Sequence, residues 1–380
     1  MQILIIGAGV AGLTLASLLR RRGENAVVIE RATTFDRAGY MLGLYYLGSR
    51  VLHGLELFDQ YLARSVPMNG YHICNGHGTL VHGYDFTELT QRCGPLQGIS
   101  RAALIDLLRE SLGDMPLRMG TTVRTLDQQG ERVAITFSDG STDEFDLVVA
   151  ADGLHSDTRE MILSEDEYTY HDTSWGGWVF WGDPDVAPRD LYTEYWGAGR
   201  FVGLYPTKDR LGVFLGGSLA AIDQRSLKAF AEDVHEHFKA AGHPVTLILE
   251  QIESADKPFF WNFCDCRTKR WRQGRVVLLG DAATGFLPTA GIGASMAMES
   301  AAVLDDELSR TNAAFVEGAL DLFEKRRRRR AEAAQTESRR LGKMMFVDSL
   351  PLAWGRDQLV KFYSLEMLIK SIGTMMAEPI

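Results

Sequence analysis

Cysteine is scarce in this chain. Cys74, Cys93, Cys264 and Cys266 are the full complement in 380 residues, too few and too scattered for a disulfide framework. A reducing compartment, the cytoplasm, is expected, and the fold must rest on buried apolar surface. His72, Cys74, His77, His82 and Cys93 share one stretch but form no CxxC or HxxxH pair, and Cys264 and Cys266 lack partner ligands, so no metal is expected. A basic excess is also lacking: 40 Lys and Arg stand against 50 Asp and Glu, a net charge of −10. A surface for nucleic-acid phosphates normally needs the opposite balance, so no nucleic-acid partner is expected. No apolar run approaches the ~18 residues that cross a bilayer, and Met1 leads into an apolar strand without a charged leader or cleavage site. Neither a membrane span nor secretion is expected. Internal repeats, low-complexity segments and Ser-His-Asp or Cys-His arrangements are not evident.

What is present begins at once. Ile3-Leu4-Ile5-Ile6 is a β-branched apolar run suited to a strand buried on both faces, and Gly7-Ala8-Gly9-Val10-Ala11-Gly12 follows it. A helical stretch, Leu13 to Arg22, stops at Gly23, and a second apolar strand, Ala26 to Ile29, ends at Glu30-Arg31. Glycines alone would mean little, since they collect in loops for conformational reasons. A glycine turn between strand and helix, with an acid closing the next strand, is a dinucleotide fingerprint. Gly7 permits the turn, Gly9 admits the pyrophosphate to the backbone, Gly12 lets helix and strand pack closely, and Glu30 takes the adenosine ribose. An acid at position 30 repels a 2′-phosphate, which leaves FAD or NAD as the resident ligand.

Two further apolar strands end in polar turns. Leu147 to Ala151 runs into Asp152-Gly153, and Val276 to Leu279 into Gly280-Asp281. Ligands of open parallel sheets sit at strand carboxyl ends, so the three termini should crowd one edge. The last continues through Pro288-Thr289-Ala290-Gly291-Ile292-Gly293 to a helix beginning at Ala294, and amides exposed there favour negative charge. Asp281 is placed to accept hydrogen bonds from ribityl hydroxyls. Elsewhere the sequence predicts helices over 49–64, 102–112, 226–241, 294–310 and 313–342, and a helical tail from about 358 to 376. Strands are predicted over 117–126, 132–138 and 142–151, with an aromatic-rich set over 168–183, 191–196, 201–205, 211–216 and 258–266.

With Gly7-x-Gly9-x-x-Gly12 and Glu30-Arg31, Asp152-Gly153-x-x-Ser156-x-x-Arg159, and Gly280-Asp281-Ala282-Ala283 with Pro288-x-x-Gly291-x-Gly293, in that order, the chain resembles the single-component FAD-dependent aromatic hydroxylases. These are the group A flavoprotein monooxygenases of the p-hydroxybenzoate hydroxylase type. The resemblance spans residues 1 to about 330. Thr284 stands where members often have His, and Glu299 where many have Asp. The fold it implies is α/β: a Rossmann-like FAD-binding domain with a discontinuous α+β substrate domain containing an antiparallel sheet, plus C-terminal helices. The expected division is 1–67, 99–160 and 270–345 for the FAD domain, 68–98 and 161–269 for the substrate domain, and 346–380 for the tail. The cofactor implied is extended FAD, contacted by Gly7, Gly9, Val10, Ala11, Gly12, Glu30, Arg31, Asp152, Gly153, Asp281, Pro288, Gly291, Ile292 and Gly293. Arg101 is implied near the pyrophosphate and Val123 beside the adenine. NAD(P)H is implied as a transient co-substrate, with O2 and a C4a-hydroperoxyflavin oxygenating an aromatic, phenolic or polyketide-like small molecule.

The second-domain sheet is expected to cover the flavin, with Trp178, Phe180 and Tyr195 as walls of the substrate pocket; the alternative is that they are core. Lys325 to Arg330, six consecutive cations, wraps around a helix and is expected to be solvated or paired within the molecule. The apolar tail face, Leu359, Phe362, Tyr363, Leu365, Leu368, Ile369, Ile372 and Met375-Met376, is expected to cap the core of this same chain. The rival readings are a flavin enzyme without oxygen insertion, halogenase or reductase, and a flavin-binding redox regulator. The halogenase Trp-x-Trp-x-Ile-Pro signature is missing, and Trp175-Gly-Gly-Trp178 does not replace it. Neither the catalytic base nor the oligomeric state is legible.

Overall fold

The structure, a computed structural model, describes residues 1–35, 40–222, 226–239, 243–364 and 367. Ile3–Ile6 is buried along its whole length and pairs parallel with Ala26–Glu30 on one side and Leu147–Ala150 on the other. Val276–Leu278 adds parallel to Leu147–Ala150, so the three apolar strands that end in polar turns lie within one sheet. Among the described residues this sheet has six strands, with Leu117–Met119 at one edge and the antiparallel Arg272–Gln273 at the other. The Val10–Arg21 helix lays Leu13, Leu15, Ala16 and Leu19 into this core, with Arg101–Glu110 and Gly293–Leu308 packed beside it. Ser100 caps the Arg101–Glu110 helix, its Oγ accepting from the Ala103 N–H at 3.1 Å.

A second sheet has seven strands among the described residues, in the order Asp256–Thr268, Tyr168–Gly182, Leu211–Ser218, Arg200–Pro206, Leu191–Trp196, Gly70–Asn75 and Leu80–Asp85. Its pairs are antiparallel except Leu191–Trp196 with Gly70–Asn75. One face is covered by the helices Leu227–Phe238 and His243–Glu250, and Phe180, Tyr195, Val202, Leu204, Val213 and Leu215 pack against Phe230, Val234 and Ile248 there. On the other face Trp175, Val179, Trp196, Phe201, Phe214 and Phe263 meet Leu287, Met345 and Val360. The α/β class, the antiparallel sheet and the C-terminal helices are therefore as expected. No helix of the described residues is long and apolar enough to cross a membrane.

Several boundaries differ from the sequence reading. The 49–64 helix is two, Tyr46–Gly54 and Phe58–Ala63, broken where Glu56 takes a φ of 62°. The 117–126 strand is also two. Leu117–Met119 joins the parallel sheet, while Val123–Gln129 leaves it for a three-stranded sheet with Arg132–Phe137 and Thr142–Phe145. Met41–Leu44, outside every strand predicted from the sequence, pairs with Gln97–Ser100, because its short, glycine-containing pattern carries no signal until the partner is placed. Of the tail, Leu350–Val360 is helical; Leu359 and Phe362 are exposed, while Val360 is buried. Leu365, Leu368, Ile369, Ile372, Met375 and Met376 lie outside the described residues.

Four of the six cations of the run pair within the molecule, and Lys325 and Arg329 are exposed. The run lies on the Val316–Met345 helix, where Arg326 pairs with Asp306 and Glu307 and Arg328 with Glu324 and Glu332. Arg327 and Arg330 both turn inward to Glu299, which is fully buried on Gly293–Leu308. Arg327 Nη1 donates to Oε2 at 2.6 Å, Arg330 donates to both oxygens at 2.9 Å, and Arg50 donates to Oε1 from a third helix, Tyr46–Gly54. One carboxylate thus joins three helices.

Candidate active site

The three strand ends and the glycine turn do meet. They form one end of a cavity of about 350 Å³ whose other end is the second sheet. Gly7 has a φ of 103°, and a Cβ there would lie 2.5 Å from the Ala151 carbonyl oxygen. A Cβ on Gly12 would lie 2.0 Å from the Gly7 carbonyl oxygen, so helix and turn approach closely only because both residues are glycine. Gly9 is different: no protein atom lies within 4 Å of where its Cβ would be. The space beside it is open to the cavity. Both helix N-termini at the cavity, Val10–Arg21 and Gly293–Leu308, have no side-chain cap and no acid in the first turn, which leaves their amides and positive dipole ends available to phosphate or a developing anion.

Acids tie the turns together. Glu30 accepts from the Ala8 N–H at 2.9 Å and the Ala32 N–H at 3.0 Å, fixing the first turn against the end of the second strand. Asp152 accepts from Ser156 Oγ at 2.5 Å and the Thr158 N–H at 3.1 Å. Ser156 Oγ in turn accepts from the Arg159 N–H at 2.9 Å and caps the helix Asp157–Ile162. The fully buried Arg159 donates to the Ala282 carbonyl at 3.1 Å and to the Leu154 carbonyl at 2.8 Å, beside the rings of Tyr168 and Tyr170. This fixes the second strand end to the third. Asp281 faces the cavity from the third strand end, where desolvation pushes its carboxyl up to about 6 against the pull of the Arg101 guanidinium. Arg101 lies over the Tyr40 ring, 5.7 Å from its centroid.

Of the residues expected to hold the cofactor, Gly9, Val10, Ala11, Arg101, Gly153, Asp281, Pro288, Gly291 and Gly293 line the cavity. Gly7, Gly12, Glu30, Asp152 and Ile292 stand behind this lining or support it; Arg31 is exposed, and Val123 is buried in the core at the start of its strand. Thr284 is buried off the cavity, in an isolated bridge with Arg267.

Trp178, Phe180 and Tyr195 do not line the cavity. They lie on the helix-covered face of the second sheet, packed with Phe230, Phe238 and Ile248. Side chains alternate across a strand, and the cavity takes the opposite parity: Val179 from the first of these strands, and Tyr192, Glu194 and Trp196 from the second. Tyr71, Tyr205, Trp261 and Phe263 complete that wall, and Met345, Phe346 and Tyr363 close it from the C-terminal segment. The Tyr84 hydroxyl holds the last of these by donating to the Tyr363 carbonyl at 2.9 Å.

Residues 1–338 match the family model for the FAD binding domain. The chain belongs to the FAD-dependent aromatic hydroxylase family. This family member is 31% identical over 375 residues to 3-amino-4-hydroxybenzoate 2-monooxygenase of Streptomyces cremeus, covering 95% of this chain and 91% of that one. It is 28% identical over 372 residues to aurachin C monooxygenase/isomerase of Stigmatella aurantiaca, covering 96% and 94%. Among solved structures, Klebsiella pneumoniae HpxO complexed with FAD and uric acid superposes with a TM-score of 0.88 at 24% identity, covering 100% of this chain and 97% of that one. The family member is thus a flavin-dependent monooxygenase with an FAD-binding domain. The open space at Gly9 and the two uncapped helix ends fit that cofactor.

Proposed function

We propose that the chain is an NAD(P)H-dependent aromatic hydroxylase that inserts one atom of O2 into an aromatic, phenolic or polyketide-like small molecule. The observation that carries this is the continuity of one cavity from a phosphate-compatible glycine turn to an aromatic-walled chamber. Glycines, uncapped amides and Arg101 suit a dinucleotide at one end, and ring-shaped walls suit an aromatic substrate at the other. The relatives named for the oxygenation of a hydroxybenzoate, a ring carboxylate, and of aurachin C support a small-molecule oxygenase, and they leave the polar groups of this chain's own substrate to its chamber wall. FAD held there would supply the redox chemistry, hydride acceptance from NAD(P)H and activation of O2.

The chain's own residues bind, orient and enclose. Gly9, Val10 and Ala11 would present amides to the pyrophosphate of the cofactor with Arg101 beside it, Glu30 would accept from the adenosine ribose, Val123 would flank the adenine, and Asp281 would accept from the ribityl hydroxyls. The amides around Gly291 to Gly293 would favour negative charge on the ring system. Met345, Phe346 and Tyr363 keep water from the chamber. The four thiols, all free, suit a reducing cytoplasm.

The test is consumption of NAD(P)H and O2 by the yellow holoprotein, with product analysis under ¹⁸O2 across phenols and polycyclic quinones. Stimulation of both by substrate, with one labelled oxygen in the product, is expected. Substrate turnover without O2 overturns the proposal.

Asp281 adds a pH dependence. The hydroxyls it serves bind its ionised form, and burial has raised its pKa to about 6, so protonation below that value removes an acceptor. FAD affinity, measured by fluorescence quenching, should weaken as pH falls from 7 to 5, and Asp281→Asn should flatten that slope. A slope unchanged by the substitution would show that another group governs it.

A further inference from the structure

Charge is distributed unevenly along the cavity. Among the described residues lining it, Arg101 is the sole cation and belongs to the glycine-turn end, while the aromatic chamber holds one ionisable acid, Glu194. Glu194 projects from the centre of Leu191–Trp196 and is 7% exposed. Three donors of its own wall meet it. The Tyr71 hydroxyl donates to Oε2 at 2.5 Å, Trp196 Nε1 donates to Oε2 at 2.8 Å, and the Tyr205 hydroxyl donates to Oε1 at 2.7 Å. A carboxylate offers about four acceptor positions, two on each oxygen, so one remains, on Oε1. Close by on the same strand face, the buried Tyr192 hydroxyl has no hydrogen-bond partner.

A buried acid with an acceptor position left over, in a chamber otherwise walled by rings, is a recognition device. A buried polar group gains from being matched and loses heavily when left unmatched, so such a site discriminates strongly between ligands that carry the complementary donor and those that do not. Burial pushes the Glu194 carboxyl up from the usual carboxylate range while its three donors pull it back down. In the ionised form that accepts all three it also repels a second anion, because like charges brought together in an enclosed apolar space are costly and no described residue of the chamber wall is a cation to offset them.

We propose that Glu194 selects the substrate: it accepts a hydrogen bond from an O–H or ring N–H of an uncharged aromatic molecule, and the chamber rejects rings that carry a carboxylate. This rests on the reading of the cavity as a hydroxylase site and narrows its substrate class. Tyr71, Tyr205 and Trp196 are positioning residues that hold the carboxylate at the wall. Tyr192 offers its unmatched hydroxyl to a second polar atom on the same ring system.

The test is calorimetric titration of the FAD-loaded protein with three probes of one ring size: 1-naphthol, 1-methoxynaphthalene and 1-naphthoate. In the natural protein 1-naphthol should bind ten- to a hundredfold more tightly than its methyl ether, the range for a hydrogen bond to a charged acceptor, and 1-naphthoate at least a hundredfold more weakly than 1-naphthol. In Glu194→Gln, 1-naphthoate should gain at least tenfold while the preference for 1-naphthol over its ether narrows. Damage to the wall cannot produce a gain of binding, which separates recognition from a structural role. Equal binding of 1-naphthol and 1-naphthoate by the natural protein overturns the inference whether or not the variant folds, as does a folded variant that binds 1-naphthoate no better. Protein that takes up no FAD would overturn the hydroxylase reading itself; FAD-loaded protein that ignores these differences overturns only the role of Glu194.

Discussion

Glu299→Ala should destabilise the protein by about 3–5 kcal/mol, the usual cost of removing one partner from a buried ion pair. The side chain is fully buried and receives hydrogen bonds from Arg50, Arg327 and Arg330. Arg327 is 1% exposed, and burial holds its guanidinium below the usual arginine range while the glutamate pulls it back up. Without the carboxylate that ties three helices together, the three cations, carried by two of them, face one another. One of those helices, Gly293–Leu308, presents its N-terminus to the cavity, so FAD should also be held less firmly. Urea denaturation of the holoprotein measures the first effect and FAD release on dilution the second. A loss of stability under about 1 kcal/mol would mean that the arginines find other partners.

Gly9→Val should abolish FAD binding and leave the fold intact. Gly9 has an ordinary φ of −83°, and nothing in the protein lies within 4 Å of its Cβ position, so a valine side chain starts into open space there. Its branches fill the space through which a pyrophosphate would reach the amides of the turn. Gly12→Ala makes the contrasting case, because its Cβ would press to 2.0 Å on the Gly7 carbonyl and should lower stability as well. The expected pair of results is colourless Gly9→Val protein with an unchanged apo melting temperature, and Gly12→Ala protein that melts earlier. Yellow Gly9→Val protein would place the cofactor elsewhere.

The parallel sheet was readable from sequence because its signal is local: four-residue apolar runs, each closed by a glycine or an acid, say both that a strand is buried on two faces and where it ends. Eight of the residues named from those endings and the turns that follow them line the cavity, and a ninth, Arg101, was named from the family resemblance. The wall of the chamber was not readable in the same way. Both faces of the second sheet are aromatic, so hydrophobicity could not say which parity the helices Leu227–Phe238 and His243–Glu250 would cover, and Trp178, Phe180 and Tyr195 fell on the covered side. A usable signal was present in Tyr192-Thr-Glu194-Tyr-Trp196. A lone acid on an aromatic stripe is costly to bury in a core, and it lies on the face that lines the cavity. Glu299 was noticed only as a departure from a family pattern, because the arginines that give it meaning lie some 30 and 250 positions away. Contacts made across such separations leave no periodic trace.

The strand order also bears on how the chain is made. Val276–Leu278 completes the sheet that Ile3–Ile6 begins, and Gly70–Asn75 waits for Leu191–Trp196 as its neighbour. A ribosome adding about 5–20 residues per second needs on the order of 15–55 s to travel from the first of these strands to the last. Ile3–Ile6 lacks its second neighbour until Leu147–Ala150 is made, and Leu147–Ala150 then has an open edge until Val276–Leu278 follows, so nascent chains should recruit holding chaperones and should resist stable compaction until nearly three-quarters of translation is complete.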